Sequence, residues 1–390
     1  MRVEHLRLED FRNYEQLETS LAPGLNLVVG RNAQGKTNLL EAIYCLGGLG
    51  SPRGPDGSLV RDGAERALIH GRVSRETRSV LVDMELRPGK GTRALLNRTA
   101  VSGVRQLAEV VRLVFFGPDE LSLIKGSPDG RRRFLDELVV KLRPARDGLR
   151  REWERVLRQR NALLKSMPRT GAPSTSADAT LQVWDESMCR TGAALTAARL
   201  KALGRLAPHA EERHAAISGG GRLELTYSSG WLEPDVCEQA VSDPEAVDED
   251  ALRKALSVSV EAARARELER GVSLVGPQRD DVGVLLGPPL RTGRALLDAR
   301  SFASQGDQRT AALALKLAES DLLTTAVGAR PILLLDDVLS ELDPSRRSWL
   351  SEAARQLGQV ILSSAEPGVS AAARADLVLE VEQGTVRSHE

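Results

Sequence analysis

Apolar positions along the chain follow two periods, and the dominant period changes twice. It begins as the spacing of strands. Val3, Leu6 and Leu8 open one, and Leu25 to Val29 is a short apolar run that ends at Gly30. A helical pattern starts at Thr37 and carries Leu39, Leu40, Ile43 and Tyr44. Residues 67–86 alternate in places, through Leu68, His70, Val80, Val82, Met84 and Leu86, as antiparallel strands do. Pro88-Gly89-Lys90-Gly91 is a hairpin signal, and Leu113 to Phe116 reads as a buried strand stopped by Gly117-Pro118.

Helical spacing takes over after about residue 134. It runs through Leu135, Leu138, Val139, Leu149, Trp153, Val156 and Leu164 among many charges, with Pro144 as a break. Residues 166–180 are rich in Ser, Thr, Pro and Ala and read as an exposed loop. Helices are expected over 181–217 and 250–270, and a strand over 223–227. The sheet pattern returns after residue 271. There a helix is expected over 309–327, a strand over 331–335, a helix over 345–357, a strand over 360–362 and a hairpin over 377–386. No repeat of roughly 20–50 residues is present. The expected fold is α/β, a sheet-rich domain split into 1–134 and 272–390, with a mainly helical arm over 135–271 inserted.

Composition sharpens this. At 390 residues the chain suits two domains of roughly 100–200 residues. A hydrophobic fraction of 41% provides for a large core and argues against global disorder. Lys plus Arg and Asp plus Glu are each 54, so the net charge is zero. That excludes coating of nucleic acid by bulk charge but leaves room for a local basic patch. Only eight of the basic residues are lysines, an arginine bias that reads as codon usage, so a lone arginine carries little weight. Cys45, Cys189 and Cys237 are odd in number and widely spaced, as in a reducing compartment. The opening residues lack a secretion signal, and no apolar run approaches the ~18 residues of a membrane span. A soluble, cytoplasmic protein with no membrane partner is expected.

Gly30-Arg31-Asn32-Ala33-Gln34-Gly35-Lys36-Thr37 satisfies G-x-x-x-x-G-K-[ST], the P-loop or Walker A pattern, between an expected strand and an expected helix. Its glycines let backbone N–H groups curl around phosphate oxygens. Lys36 reaches the terminal phosphates, and Thr37 offers a hydroxyl to Mg²⁺. The expected nucleotide contacts run from Gly30 to Asn38. Ile332 to Leu335 then enters Asp336-Asp337, an apolar strand ending in two carboxylates, which is the Walker B form. Asp336 is expected to hold Mg²⁺, and Asp337 to position the attacking water. Alone, the second pattern is equally a solvated acidic turn; the P-loop decides between the two.

Ser304-Gln305-Gly306-Asp307-Gln308, upstream of Walker B, resembles the signature loop of ABC-type ATPases. In that superfamily the signature meets the nucleotide bound to the opposite copy, so ATP is buried between two heads. Ser304, Gly306 and Gln308 are the candidates here. Ser340-Glu341-Leu342-Asp343 resembles the D-loop that crosses the same interface, with Asp343 as its candidate. About 270 residues separate Walker A from the signature, an insertion similar to that of the SMC-like branch.

Over essentially its whole length the chain resembles the RecF family. Leu8 to Tyr14 matches the family's opening, and Gly35 to Ile43 its P-loop helix. Pro118 to Asp136 is the most specific stretch, reproducing P-[DE]-x-L, K-G-x-P-x-x-R-R and F-L-D. Gly276 to Asp281 and Ser304 to Thr310 add two more matches. Ala33 stands for a frequent Gly, Gln278 for His and Asp307 for Glu. No His lies near Ser363-Ser364, which leaves the γ-phosphate sensor unassigned. The resemblance implies an ABC-type, SMC-like P-loop ATPase head that uses ATP and Mg²⁺ and forms an ATP-dependent homodimer. It implies binding to double-stranded and gapped DNA, and work with RecR and RecO to load RecA on single-stranded DNA. It further implies slow, DNA-stimulated hydrolysis that acts as a switch. The alternatives are another SMC-like ABC ATPase, or an ATP-binding head without turnover. A transporter ATPase would carry a Q-loop and a switch His, and an OLD-type nuclease a further acidic domain.

For DNA the candidates are Arg131, Arg132 and Arg133, and the arm residues Arg151, Arg155 and Arg158, which share a helix face. Glu152 and Glu154 lie among the latter, so an ion-paired surface is an equal reading. Aromatics at 3% argue against a stacking platform and for recognition of duplex backbone.

Overall fold

The computed structural model describes residues 1–54, 56–75, 78–167, 175–289, 295–365 and 374–389. In chain order the strands are β1 (Arg2–Phe11), β2 (Tyr14–Ser20), β3 (Leu25–Val29), β4 (Ala67–Arg75), β5 (Arg78–Arg87), β6 (Gly91–Leu96), β7 (Thr99–Ala100), β8 (Leu113–Phe116), β9 (Arg222–Ser228), β10 (Asp281–Gly287), β11 (Leu297–Asp298), β12 (Ile332–Leu335), β13 (Val360–Ser364), β14 (Leu377–Glu382) and β15 (Thr385–His389). They fall into two compact units. One comprises Met1–Leu121, Ala216–Gly219 and Gln305–Glu390; the other comprises Ser122–Ala215 and Gly220–Ser304. Apart from 216–219, the expected arm lies inside the second unit, together with 122–134 and 272–304.

The first unit holds two six-stranded sheets. One runs β2-β1-β4-β5-β6-β7 and is antiparallel. One face of it is buried, so Val82, Met84 and Leu86 of β5 alternate with less buried neighbours. In β1 the register shifts between Val3 and His5, a bulge that accounts for the uneven spacing of Val3, Leu6 and Leu8. The other sheet runs β15-β14-β3-β13-β12-β8, with parallel pairing from β14 through β8. Every residue of β8, β12 and β13 is buried, because layers cover both faces. Such strands read as unbroken apolar runs. Helix Lys36–Cys45 places Leu39, Leu40 and Ile43 in one core with Leu6 and Phe11 of β1 and Val28 and Leu334 of the parallel sheet.

Strand order is what assembles the site. β13 lies between β3 and β12, so the loop after β3 and the acidic pair after β12 share one sheet edge, with Ser363 between them. Ligands of open parallel sheets bind at this carboxyl edge. Helix Gln305–Val327 begins four residues before its expected start and is buried along most of its length. Its Lys316 is neutralised by Glu319 at 3.0 Å.

The second unit combines helices Pro128–Leu142, Gly148–Ser166, Thr175–Ser218 as far as residue 215, Pro234–Ser242 and Glu249–Arg270 with an antiparallel sheet, β11-β10-β9. Two features depart from expectation. β10 falls in the span 272–390 expected to belong to the split sheet-rich domain, but it pairs with β9 and β11. The helix expected from 181 begins at Thr175, since Ala177 and Leu181 pack on Leu164 and Met167. Packing there overrides a loop-like composition. Residues 168–174 of that expected loop lie outside the described residues.

Buried ion pairs pin this unit. Arg160, fully buried, reaches Asp185 at 2.7 Å and Glu267 at 2.7 Å. Arg199 donates to both oxygens of Asp136, at 2.7 and 3.0 Å, and to the Pro277 carbonyl at 2.7 Å. Asp280 accepts from the Tyr227 hydroxyl at 2.7 Å and the Trp231 indole at 3.2 Å. The Phe134-Leu135-Asp136 and Gly276–Asp281 stretches are thus tied to each other through Arg199.

Candidate functional site

The loop after β3 requires its glycines. Gly30 has φ +153 and lies against the Val381 carbonyl of β14. Gly35 has φ +120, and a Cβ there would meet Asn13 Nδ2 at 2.6 Å and the Tyr14 hydroxyl at 3.0 Å. Ala33 also adopts a left-handed φ of +64, a conformation that costs a non-glycine residue roughly 1–2 kcal/mol. The Lys36 ammonium is buried and donates to the carbonyls of Gly30 at 2.7 Å and Arg31 at 3.0 Å. Burial pushes its pKa down, while Asp337 and Asp336 pull it up.

Residues just past β1 brace this loop. Asn13 donates to the Gln34 carbonyl at 2.9 Å and accepts from Asn38 at 2.8 Å. The Tyr14 hydroxyl donates to the Gly35 carbonyl at 2.9 Å. Gln34 in turn accepts from the Gln383 amide at 2.8 Å. Arg12, at φ +54, clasps the fully buried Glu41 with two bonds of 2.9 and 3.0 Å. Ser51 also bonds to Glu41, and Arg53 lies 4.0 Å from it. Family matches at Arg12, Asn13 and Tyr14 therefore acquire a physical meaning, and Ser51 and Arg53 join them around Glu41. Pattern reasoning had assigned them none.

The acidic pair faces this loop. Thr37 Oγ1 donates to Asp336 Oδ1 at 3.0 Å, and Ser363 Oγ donates to the same oxygen at 2.6 Å. Ser363 Oγ also accepts from the Asp337 amide at 2.9 Å. Burial pushes the Asp336 carboxyl above the usual range, and the two hydroxyls pull it partly back. Asp337 adopts φ +52, and its Oδ1 is buried without a hydrogen-bond partner among the described residues. Such an orphaned acceptor is costly unless something is to be bound there. Thr37 Oγ1 and Asp336 Oδ1 are hard oxygen donors that fit Mg²⁺. No group of three His, Cys, Asp or Glu converges among the described residues, so remaining ligands would come from water and phosphate. Ser363 went unassigned in the sequence; its only signal is its place on β13.

Gly306 and Gln308 lie in the first turn of helix Gln305–Val327, where Gln308 is 3% exposed and Thr310 bonds back to the Gly306 carbonyl. Ser304 is exposed just before that helix. Asp343 is exposed and caps helix Pro344–Ala354, accepting from the amides of Ser345 and Arg346 at 3.0 Å each. Arg346 pairs with both Asp307 at 3.1 Å and Asp343 at 3.2 Å, which joins the signature segment to the D-loop segment.

The arginine candidates separate by burial. Arg131 is 6% exposed, and its guanidinium forks onto Asp281 at 2.8 and 2.8 Å. A fork so occupied is not available to a phosphate. Arg132 donates to the Asp280 carbonyl at 2.7 Å. Arg133, Arg151, Arg155 and Arg158 are exposed. Arg151 pairs with Asp147 at 2.6 Å, and Arg158 lies 4.0 Å from Glu154.

The RecF/RecN/SMC N terminal domain family matches residues 2–387. The chain is 43% identical to the DNA replication and repair protein RecF of Streptomyces avermitilis, across 99% of both chains. Among solved structures it is similar to the recombination mediator protein RecF-ATP in the RecFOR pathway. That TM-score is 0.84 and the identity 26%, over 100% of this chain and 97% of that one. An SmcHead bound to the C-winged helix domain of ScpA shares the fold, at a TM-score of 0.56 and 16% identity over 100% and 97% of the two chains. With a family match from residue 2 to 387 and a relative this similar from end to end, the chain belongs to the RecF family of DNA replication and repair proteins, built on an SMC-like, ABC-type P-loop ATPase head.

Proposed function

We propose that this protein binds ATP and Mg²⁺ at the edge of the parallel sheet, dimerises through its head, and uses slow, DNA-stimulated hydrolysis as a switch for binding duplex or gapped DNA. It acts in the cytoplasm in recombinational repair and replication restart, and with RecO and RecR it promotes loading of RecA on single-stranded DNA. The observation that carries the reading is the relay from Thr37 through Asp336 and Ser363 to the Asp337 amide. The solved relative described as RecF-ATP in the RecFOR pathway supports the nucleotide and the partners.

The backbone amides of the loop and the start of helix Lys36–Cys45 favour phosphate oxygens. Lys36 exchanges its bonds to Gly30 and Arg31 for bonds to phosphate. Thr37 and Asp336 would hold Mg²⁺, which would neutralise charge on the phosphates. Asp337 Oδ1 accepts a hydrogen from the attacking water, and Ser363 holds the backbone that aims it. Asp337 is one methylene shorter than Glu, so it holds that water less closely and turnover is slow. Ser304, Gly306, Gln308 and Asp343 serve the nucleotide of the opposite copy. DNA contacts are assigned to the exposed Arg133, Arg151, Arg155 and Arg158, with Arg132 beside them, and Arg131 is left to its structural pair.

Sedimentation with and without ATP and gapped duplex, across a salt series, tests the reading. Asp337→Ala is expected to dimerise with ATP but not hydrolyse it, and Lys36→Ala to do neither. A monomer under every condition would refute the head dimer. DNA binding indifferent to nucleotide would refute the switch, and dimerisation without turnover would favour a non-hydrolysing head.

A further inference from the structure

Within the second unit a groove of about 470 Å³ lies between helices Pro234–Ser242 and Glu249–Arg270, with Leu200 and Trp231 among its lining. Its walls are largely aliphatic, including Val236, Ala240, Val247, Leu252 and Val258. Val236 and Val258 are 43% and 68% exposed and line the same groove, which leaves contiguous apolar surface in water. The segment 233–250, which forms much of this rim, carries eight carboxylates and no Lys or Arg. All eight are exposed. Glu245 pairs with Arg205, Asp250 pairs with Arg253, and Asp248 caps its helix, so local partners offset only part of this charge.

In a chain whose charges cancel overall, so one-sided a segment is a local field. It repels a phosphate backbone and disfavours DNA at this face. It equally opposes a second copy seated symmetrically, because acidic rim would meet acidic rim. Aliphatic walls between two helices suit the apolar stripe of a third helix, with residues at i, i+3, i+4 and i+7. The rim then selects cations on the helix's flanks. We propose that this groove docks a basic amphipathic helix of a partner protein, independently of the nucleotide site.

The test uses the full chain and a fluorescein-labelled synthetic peptide of about 18 residues, with leucines on one helical face and Lys and Arg on the other. Anisotropy is expected to show binding that falls about tenfold between low and high salt as the charges are screened. A peptide with Glu replacing Lys and Arg, and a scrambled peptide of the same composition, should each bind at least tenfold more weakly. Hydrogen exchange should show protection confined to residues 231–259. Val236→Asp and Val258→Asp change exposed positions and should weaken binding at least tenfold with an unchanged melt. The triple change Glu233→Lys, Asp235→Lys and Glu238→Lys should do the same without touching the apolar walls, which keeps the test intact if either valine variant misfolds. Equal binding of the scrambled peptide, or protection elsewhere, would overturn the proposal. So would protection of 231–259 by a duplex oligonucleotide, or protection that grows with protein concentration alone, which would mark a second copy as the occupant.

Discussion

Arg199→Met tests the buried network of the second unit. The wild-type guanidinium is 3% exposed and makes three short bonds, two to Asp136 and one to the Pro277 carbonyl. Methionine keeps much of the stem's packing but removes all three. Asp136, itself 6% exposed, then faces Arg150 at 3.8 Å as its nearest cation. Removing one partner of a buried pair costs about 3–5 kcal/mol, chiefly because the other charge is left without compensation. Arg150 is partly exposed, so it returns only a fraction, and a net loss of about 3 kcal/mol is expected. With an m value of about 2 kcal/mol per molar urea, the midpoint falls by about 1.5 M. Trp153 and Trp231 lie in this unit, so tryptophan fluorescence in a urea titration reports on it. Adding Asp136→Leu removes the stranded charge and should recover at least half the loss. A single variant destabilised by less than about 1 kcal/mol, or a double variant no better than the single, would refute the argument.

Burial pushes the Asp280 carboxyl up to about 6, against about 3.9 for an unfolded aspartate. The folded chain therefore binds the extra proton, and the associated stability is present below about pH 4 and lost as pH rises through 6. Asp280→Asn should remove up to about 3 kcal/mol of that decline between pH 4 and 7, read by urea midpoints, and an unchanged pH slope would count against it. Ser363→Ala removes the donor to Asp336 and the acceptor for the Asp337 amide. It should lower steady-state ATP hydrolysis roughly 10–100-fold while ATP affinity changes less than about threefold, and equal losses in both would assign Ser363 to binding instead.

Much of the site was legible because the P-loop and the Asp336-Asp337 pair are local patterns. Each is a contiguous run whose backbone conformation follows from its own glycines or from an apolar strand meeting carboxylates. The parallel strands were legible for a related reason, since burial on both faces leaves an unbroken apolar run. Placement was not legible where it depended on partners far away in sequence. Arg131 looked like a phosphate contact until its fork met Asp281, 150 residues on. Strand β10 carries an ordinary sheet pattern, and nothing local says that it pairs with β9 rather than with the main sheet.

The sequence by itself therefore determined the chemistry available, a phosphate-binding loop, a hydroxyl, two carboxylates and the resemblance to RecF. Tertiary structure decided how they meet. Strand order inserts β13 between β3 and β12, and only then does Ser363 become the link between Asp336 and Asp337. Hydrogen bonds and ion pairs act over about 3–4 Å, so which polar side chains are partners is set by how the strands and helices pack, whatever their separation along the chain.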